Sequence, residues 1–228
     1  MGPKKSSGHF WVVLVATGLI LGISAFGFTF RYYDFEKGTG DIAKIEKMVN
    51  DLRAAMNVDA VRQANIQKVM ALIEKYNPKM PSDMRYNIAN EVYEMSIKYT
   101  NLDVNLICAT ITHESAQSWN PKVTSPVGAM GLMQIMPGTG MFLAEVEGIP
   151  WVSPETVLFN PIYNIRLGCR YLSTLIDIYG VEGGLAAYNG GEKRASMWLA
   201  HNKANGILWP ETQKYVPAIL NLYRQFQN

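Results

Sequence analysis

Apolar residues three and four positions apart recur along most of this 228-residue chain. That spacing places them on one face of an α-helix, whereas a half-buried β-strand alternates apolar and polar residues. Because no such alternation is sustained along the chain, we predict an all-α fold. The apolar stripes are Ile66, Val69, Met70 and Ile73; Ile88, Val92, Met95 and Tyr99; Ile165, Leu172, Leu175, Ile176 and Tyr179; and Tyr215, Ile219, Leu222 and Tyr223.

Residues that commonly begin or end helices border these stripes. Ser82 and Asp103 are suited to cap the helices that follow them, because a short polar side chain can accept a hydrogen bond from a free backbone N–H. Asn160 and Pro161 predict a helix with proline at its first position. Gly180 predicts the end of that helix. The last helix is expected from about Glu211 to Phe226.

Residues 10–30 form a stretch of 21 residues without a charge. A helix of this length spans roughly 30 Å, the thickness of a bilayer's hydrocarbon core. A cleaved signal peptide is the alternative, but its apolar region usually has only about 7–15 residues. We therefore predict a transmembrane anchor with residues 1–9 on the cytoplasmic side. Residues 31–81 would form a linker with a short helical segment, and residues 82–228 a globular domain.

Charge and composition argue against several classes of protein. A net charge of +2 without a basic tract does not favour nucleic-acid binding. The only histidines are His9, His113 and His201, and no HExxH motif or cysteine cluster accompanies them, so a zinc site is not expected. Cys108 and Cys169 lie within helical patterns and are predicted to be buried free thiols, with a disulfide as the alternative.

Glu114 is the strongest candidate for a catalytic residue. It follows Ile107 and Ile111 on the same helical face, so a carboxyl group continues an apolar stripe. An unpaired carboxylate is unfavourable there, and burial raises its pKa toward the range of a general acid. A Gly-, Pro- and Ser-rich segment follows, in which backbone can approach a ligand closely. The alternative is a glutamate that only pairs or caps at the helix end.

Four sequence blocks occur in a set order: ESAQSWNPKVTSPVGAMGLMQIMPGTG, NPIYNIRLGCRYLSTLIDIYG, AAYNGG and ETQKYVPAIL. Together they closely resemble the catalytic domain of the soluble lytic transglycosylase family, over roughly residues 84–226. The resemblance implies a lysozyme-like α-fold of the goose type. It also implies cleavage of the β-1,4 bond between N-acetylmuramic acid and N-acetylglucosamine in peptidoglycan, leaving a 1,6-anhydro end, without a cofactor.

The same resemblance assigns roles to individual residues. Glu114 matches the single acid/base, which protonates the glycosidic oxygen and then accepts the proton of the muramoyl C6 hydroxyl. Tyr188 matches a tyrosine whose hydroxyl approaches that glutamate. Leu132 and Met136 are expected to pack in the core, and Glu211 is either a sugar contact or a buried structural carboxylate. The predicted substrate-binding residues are Ser115, Ser125, Gly131, Met133, Gln134, Tyr188, Asn189 and Glu211.

The chain departs from the family pattern at three places. One is Gly140, where alanine is common, and the other two are changes in loops. Many members have an Asn-Pro pair four residues after the catalytic glutamate, whereas Asn120 is six residues after Glu114. Gln117 and Ser118 look like an insertion that lengthens this loop. The family's Asn-Ala-Gly-Pro-Gly turn is replaced by residues 189–193, which read NGGEK. Both changes concern details of the subsites and leave the acid unchanged.

Two other functions stay open at this stage. A lysozyme-type hydrolase would use water and need a second carboxylate, for which Glu145, Glu147, Glu192 and Glu211 are candidates. A weakly active peptidoglycan-binding subunit of an envelope or secretion complex is the other. The favoured enzyme would be held in the inner membrane by residues 10–30 with its catalytic domain in the periplasm. Secretion to the periplasm after signal cleavage is the alternative location.

Overall fold

The computed structural model describes residue 19 and residues 44–228, and the chain divides into two compact units, Met1–Ala60 and Val61–Asn228. In the first unit, residues 44–60 are helical with exposed side chains. The predicted cytoplasmic residues 1–9 and, apart from residue 19, the predicted anchor at residues 10–30 lie outside the described residues. Within the part that is described, no helix combines the length and apolarity needed to cross a membrane.

The second unit is built from helices, which confirms the predicted all-α fold. Its described residues contain isolated β-bridges around Met130 but no strand. The unit begins upstream of the predicted domain start at residue 82, because Ile66, Val69 and Ile73 of the first helix are fully buried in its core. The helices are α1 (61–76), α2 (Ser82–Lys98), α3 (Val104–Glu114), α4 (Pro137–Val146), α5 (Pro154–Leu158), α6 (Pro161–Gly190), α7 (Glu192–Ala200) and α8 (Pro210–Gln227).

Most of the predicted helix boundaries are confirmed, with one correction. The Asp103 carboxylate accepts a hydrogen bond from the backbone N–H of Leu106 at 2.9 Å, as expected of an N-cap. Asn160 caps α6 in the same way. The prediction for Ser82 is wrong, because this residue is already helical and no side chain caps α2. Gly180 has a non-helical backbone with φ 70° and ψ 173°, so the first helical run of α6 ends there as predicted, and a second run continues to Gly190.

Helix α3 is largely buried and carries the candidate acid at its C-terminal end. It packs against α8 and α2, while α6 packs against α2, α7 and α8. Ile107 and Ile111 are fully buried, so the apolar stripe of α3 faces the core up to the turn that ends in Glu114. The packing of this stripe therefore fixes where the carboxyl group emerges.

Ion pairs between helices reinforce this packing. Glu91 of α2 is 4% exposed and binds the guanidinium of Arg166 on α6 through both carboxylate oxygens, at 2.6 and 3.1 Å. Two-point contacts of this kind set the orientation as well as the distance between two helices. Cys108 and Cys169 are buried free thiols, as predicted.

Candidate active site

Glu114 is the last residue of α3, and a buried tyrosine of α8 holds its carboxyl group. The Tyr215 hydroxyl donates a hydrogen bond of 2.5 Å to Glu114 Oε1. The His113 ring packs edge-on against the Tyr215 ring, with 4.9 Å between centroids. Tyr215 itself is 3% exposed. One carboxylate oxygen of Glu114 is therefore engaged by a fixed donor, and the carboxyl orientation is set by the contact of α3 with α8.

Burial makes Glu114 an unusually weak acid for a carboxyl group. It raises the pKa of this residue to about 7, the hydrogen bond from Tyr215 opposes the rise, and the negative charge of Glu211 adds to it. With a pKa near the pH, about half of the molecules hold the proton at pH 7, so the group can both donate and accept one. Burial also lowers the pKa of His113, opposed by Glu211.

Two serines predicted to bind substrate stabilise turns of the polypeptide. Ser115 is fully buried, and its Oγ accepts a hydrogen bond of 3.0 Å from the backbone N–H of Trp119. Ser125 Oγ accepts from the N–H of Ala129 at 3.0 Å. Each hydroxyl replaces a backbone partner in an irregular segment, which is a common use of serine outside helices. Both residues position the loops that border Glu114 and the cleft.

The turn that contains Gly131 and Met133 is held by Asn164 of α6. The Asn164 side chain is fully buried, accepts from the Met133 N–H at 2.7 Å and donates to the carbonyls of Met130 and Leu158. Gly131 has φ 81°, and a Cβ there would lie 2.3 Å from both Asn164 Nδ2 and the Leu158 carbonyl oxygen. Only glycine fits this position, so Gly131 shapes the turn, and its contact with a sugar stays a prediction.

Met133 and Met136 differ from their predicted roles. Met133 is fully buried, and a Cβ at Gly168 would lie 2.4 Å from its sulfur, so its side chain belongs to the core. Leu132 is fully buried as predicted, but Met136 is 44% exposed, so its predicted core position is wrong. Met136 precedes α4 as its N-cap residue, where the chain leaves the core for the surface.

A cavity of about 230 Å³ lies next to this turn and brings together three of the predicted binding residues. Gln134 Nε2 donates to the carbonyls of Gly131 and Val123, while Asn189 Oδ1 accepts from the Thr212 hydroxyl. Each amide thus keeps one end without a partner among the described residues. The cavity is lined by Gln134, Ile135, Met136, Thr139, Tyr171, Ala187, Tyr188, Asn189 and Gly191.

Tyr188 lines this cavity, but its hydroxyl bonds to the backbone and not to Glu114. Its hydroxyl donates to the Met133 carbonyl at 2.7 Å, and the hydroxyl that contacts Glu114 belongs to Tyr215. The charge of Glu114 nevertheless contributes, after burial, to raising the pKa of Tyr188. Glu211 is exposed, so the alternative of a buried structural carboxylate is wrong.

Tyr215 and Asn164 are the residues of the site that the sequence analysis missed. Both lie within the matched blocks, and the sequence position of each indicates a role in the site. Tyr215 is four residues after Glu211, one helical turn along α8, and Asn164 is a polar residue beside the buried Ile165. Buried polar groups require hydrogen-bond partners, so a polar residue on an apolar stripe indicates a side chain that holds a neighbouring segment by hydrogen bonds. Among the residues described, no group of three or more His, Cys, Asp or Glu side chains could hold a metal ion.

Comparison with known proteins adds independent findings. The profile of the transglycosylase SLT domain family matches residues 91–208. The chain is 35% identical over 141 residues to the soluble lytic murein transglycosylase of Escherichia coli K12, covering 58% of this chain and 22% of that protein. It is 41% identical over 105 residues to the transglycosylase of Enterobacteria phage PRD1, covering 46% of this chain and 35% of the phage protein.

Two solved structures share the fold. One is an inactive Glu-to-Gln mutant of the lytic transglycosylase Slt from Pseudomonas aeruginosa, with 26% identity, a TM-score of 0.53, and coverage of 63% of this chain and 28% of that one. The other is the 70-kDa soluble lytic transglycosylase in complex with bulgecin A, with 32% identity, a TM-score of 0.50, and coverage of 64% and 26%. The chain thus spans about a fifth to a third of the length of the relatives it matches.

Proposed function

Because the chain belongs to the transglycosylase SLT domain family, we propose that it is a peptidoglycan lytic transglycosylase. It cleaves the β-1,4 bond between N-acetylmuramic acid and N-acetylglucosamine and leaves a 1,6-anhydro end. The observation that carries this proposal is Glu114, a carboxyl group with a pKa raised to about 7 and held by a single tyrosine hydroxyl. No cofactor is required for this reaction.

Glu114 performs both proton transfers. In its protonated form it donates the proton to the glycosidic oxygen as the bond to C1 breaks, so the leaving sugar departs as a neutral alcohol. The substrate's own acetamido group assists at C1, which removes the need for a second carboxylate as nucleophile. Glu114, now ionised, accepts the proton of the C6 hydroxyl as that oxygen bonds to C1. The acid is thereby restored, and no water is consumed.

Tyr215 and the cavity residues have supporting roles. The Tyr215 hydroxyl stabilises the ionised carboxylate between the two proton transfers and fixes its orientation, because hydrogen bonds to the charged form favour it. Gln134 and Asn189 each offer an unengaged half of an amide at the cavity, a group that suits recognition of hydroxyl and acetamido groups. The two amides therefore bind the glycan strand while Glu114 acts on the bond.

The relatives support this assignment. The mutant of the Pseudomonas aeruginosa enzyme is inactive and carries glutamine in place of one glutamate, which agrees with catalysis by a single glutamate. Lytic murein transglycosylases recur among the relatives, including soluble and membrane-bound proteins. Murein is the substrate named for these proteins, and it lies outside the cytoplasm.

We also propose that residues 10–30 hold the enzyme in the inner membrane with its catalytic domain in the periplasm, where it serves an envelope or secretion complex. The uncharged stretch of 21 residues supports the anchor. N-terminal sequencing and membrane fractionation of the mature protein test this. A soluble protein that begins near residues 25–28 would replace the anchor with a signal peptide.

Mass spectrometry of the products from purified sacculi tests the proposed activity. We expect fragments with anhydro ends, each lighter by one water than the hydrolysis product. Replacement of Glu114 by Gln should reduce the rate by at least about 10²-fold, the lower range for general acid–base help. The matched control is Glu155→Gln, an exposed glutamate on α5, which should behave as wild type. Reducing ends would indicate a hydrolase, and near wild-type turnover of Glu114→Gln would exclude the assignment of the acid.

A further inference from the structure

The loop that follows Glu114 has an unusual backbone. Three of its residues other than glycine have positive φ angles: 50° at Ala116, 58° at Gln117 and 47° at Trp119. Left-handed conformations are unfavourable for residues with a Cβ, and they persist only where the surrounding structure enforces them. Such strain beside a candidate catalytic residue calls for a functional explanation.

A buried tryptophan enforces this conformation. Trp119 is fully buried, its indole N–H donates to Thr112 Oγ1 at 3.0 Å, and its carbonyl accepts from Asn77 Nδ2 at 3.4 Å. Every backbone N–H from residue 115 to residue 120 donates a hydrogen bond within this segment or to the end of α3. The loop is therefore rigid and has no free backbone donor to offer a ligand.

The loop presents the side chain of Gln117 to solvent. Gln117 is exposed, and its amide makes no hydrogen bond among the described residues. Ser118 Oγ donates to the Ser115 carbonyl and Asn120 Oδ1 accepts from the N–H of Lys122, so within this loop only Gln117 has an amide with both ends unengaged. The strained backbone thus holds a free amide at a fixed position.

Along the chain, the loop lies between the two parts of the candidate site, the acid and the cavity wall. The loop begins directly after Glu114, and three residues beyond Asn120 the Val123 carbonyl accepts hydrogen bonds from the Gly131 N–H and from Gln134 Nε2. Gln134 lines the cavity. Gln117 therefore lies three residues after Glu114, on the segment that connects the acid to the cavity wall.

We propose that Gln117 is a specificity-determining residue whose amide hydrogen-bonds an amide group of the peptidoglycan strand beside the cleaved bond. That group is either the acetamido group of a sugar or a peptide bond of the stem peptide. This inference rests on the proposed function. Gln117 and Ser118 are the two residues by which this loop exceeds the family pattern, so the contact is a property of this chain.

Kinetics of Gln117 variants of the full chain test the proposal. Gln117→Ala removes the amide, Gln117→Gly removes it and relieves the positive φ, and Gln117→Asn keeps an amide in a residue that tolerates this φ. Gln63→Ala, an exposed glutamine on α1, is the matched control. Release of anhydro products is measured at varied concentrations of intact peptidoglycan fragments and of glycan strands freed of peptide.

We expect Gln117→Ala and Gln117→Gly to lower kcat/KM about 2- to 10-fold, the range for one neutral hydrogen bond, mainly through KM. Gln117→Asn should recover part of this loss, and Gln117→Gly should unfold at the same temperature as wild type or higher. Loss on both substrates identifies the acetamido group as the partner, whereas loss on intact fragments alone identifies the stem peptide.

Three results would overturn the inference, and they are distinguishable. If wild type releases anhydro products and the Ala and Gly variants retain its KM on both substrates, Gln117 does not contact the strand. If wild type releases no anhydro products, the proposed function fails, and this inference fails with it. A change in unfolding temperature without a change in KM would show that the loop is structural only.

Discussion

Replacement of Glu114 by Gln should stabilise the protein at alkaline pH while it abolishes cleavage. The carboxyl group is largely withdrawn from water, so ionising it in the folded state is unfavourable. Glutamine has nearly the same shape, keeps an oxygen that can accept the hydrogen bond from Tyr215, and carries no charge at any pH. The variant therefore avoids the unfavourable ionisation that the wild type undergoes.

The size and pH range of this effect follow from the pKa of Glu114, which the fold raises from 4.5 to about 7. A carboxyl group with a raised pKa in the folded state favours folding below the unfolded pKa, and this stabilisation is lost as pH rises through the folded value. Each pKa unit corresponds to about 1.4 kcal/mol, so the full shift corresponds to about 3 kcal/mol. Glu114→Gln should match wild type near pH 4 and exceed its free energy of unfolding by about 2–3 kcal/mol at pH 8.

Urea unfolding of both proteins at pH 4, 6 and 8, followed by tryptophan fluorescence, measures this difference. The control is Glu155→Gln, which removes an exposed carboxylate of α5. A Glu114→Gln variant that is no more stable than wild type at pH 8 would show that the carboxyl group is well solvated. That result would refute the reasoning that burial tunes this residue for catalysis.

Three further outcomes are expected. Tyr215→Phe should move the alkaline limb of the pH profile of kcat/KM to higher pH, because it removes a hydrogen bond that lowers the pKa of Glu114. Glu211→Gln should move that limb to lower pH, because it removes a negative charge that raises the same pKa. Profiles equal to that of wild type would contradict this. Gly131→Ala should destabilise the domain by more than about 2 kcal/mol in urea unfolding, because a Cβ cannot fit at 2.3 Å from its neighbours. Glu91→Gln should cost about 1.5–3 kcal/mol by the same assay, the range for hydrogen bonds to charged groups, because it disrupts the two-point contact with Arg166, whose side chain is 42% exposed and stays solvated. A loss under about 1 kcal/mol would show that the ion pair is dispensable.

The helices of the second unit could be predicted because their signals are local. A stripe of apolar residues, a capping Asp103 or a proline at the first helical position acts within one or two turns of the chain. One error arose where a local signal allows two results. Ser82 is a good capping residue and also an acceptable first residue of a helix. The position of neighbouring helices decides between them.

The candidate site was predictable only in part. Gln134, Tyr188 and Asn189 were selected from the matched blocks, and the structure places all three at one cavity. Ser115 and Met133 were selected on the same basis, but both are fully buried. A motif indicates which residues matter and does not separate those that face the ligand from those that support the backbone behind it.

The sequence by itself determined the helical class of the fold and placed Glu114 at the end of an apolar stripe, because both follow from periodicity along a single helix. Only the tertiary structure decided which hydroxyl meets that carboxyl group: Tyr215 is 101 residues away along the chain and reaches Glu114 because α8 packs on α3. The raised pKa and the rigid loop that carries Gln117 also depend on this packing, since burial is a property of all the surrounding helices together.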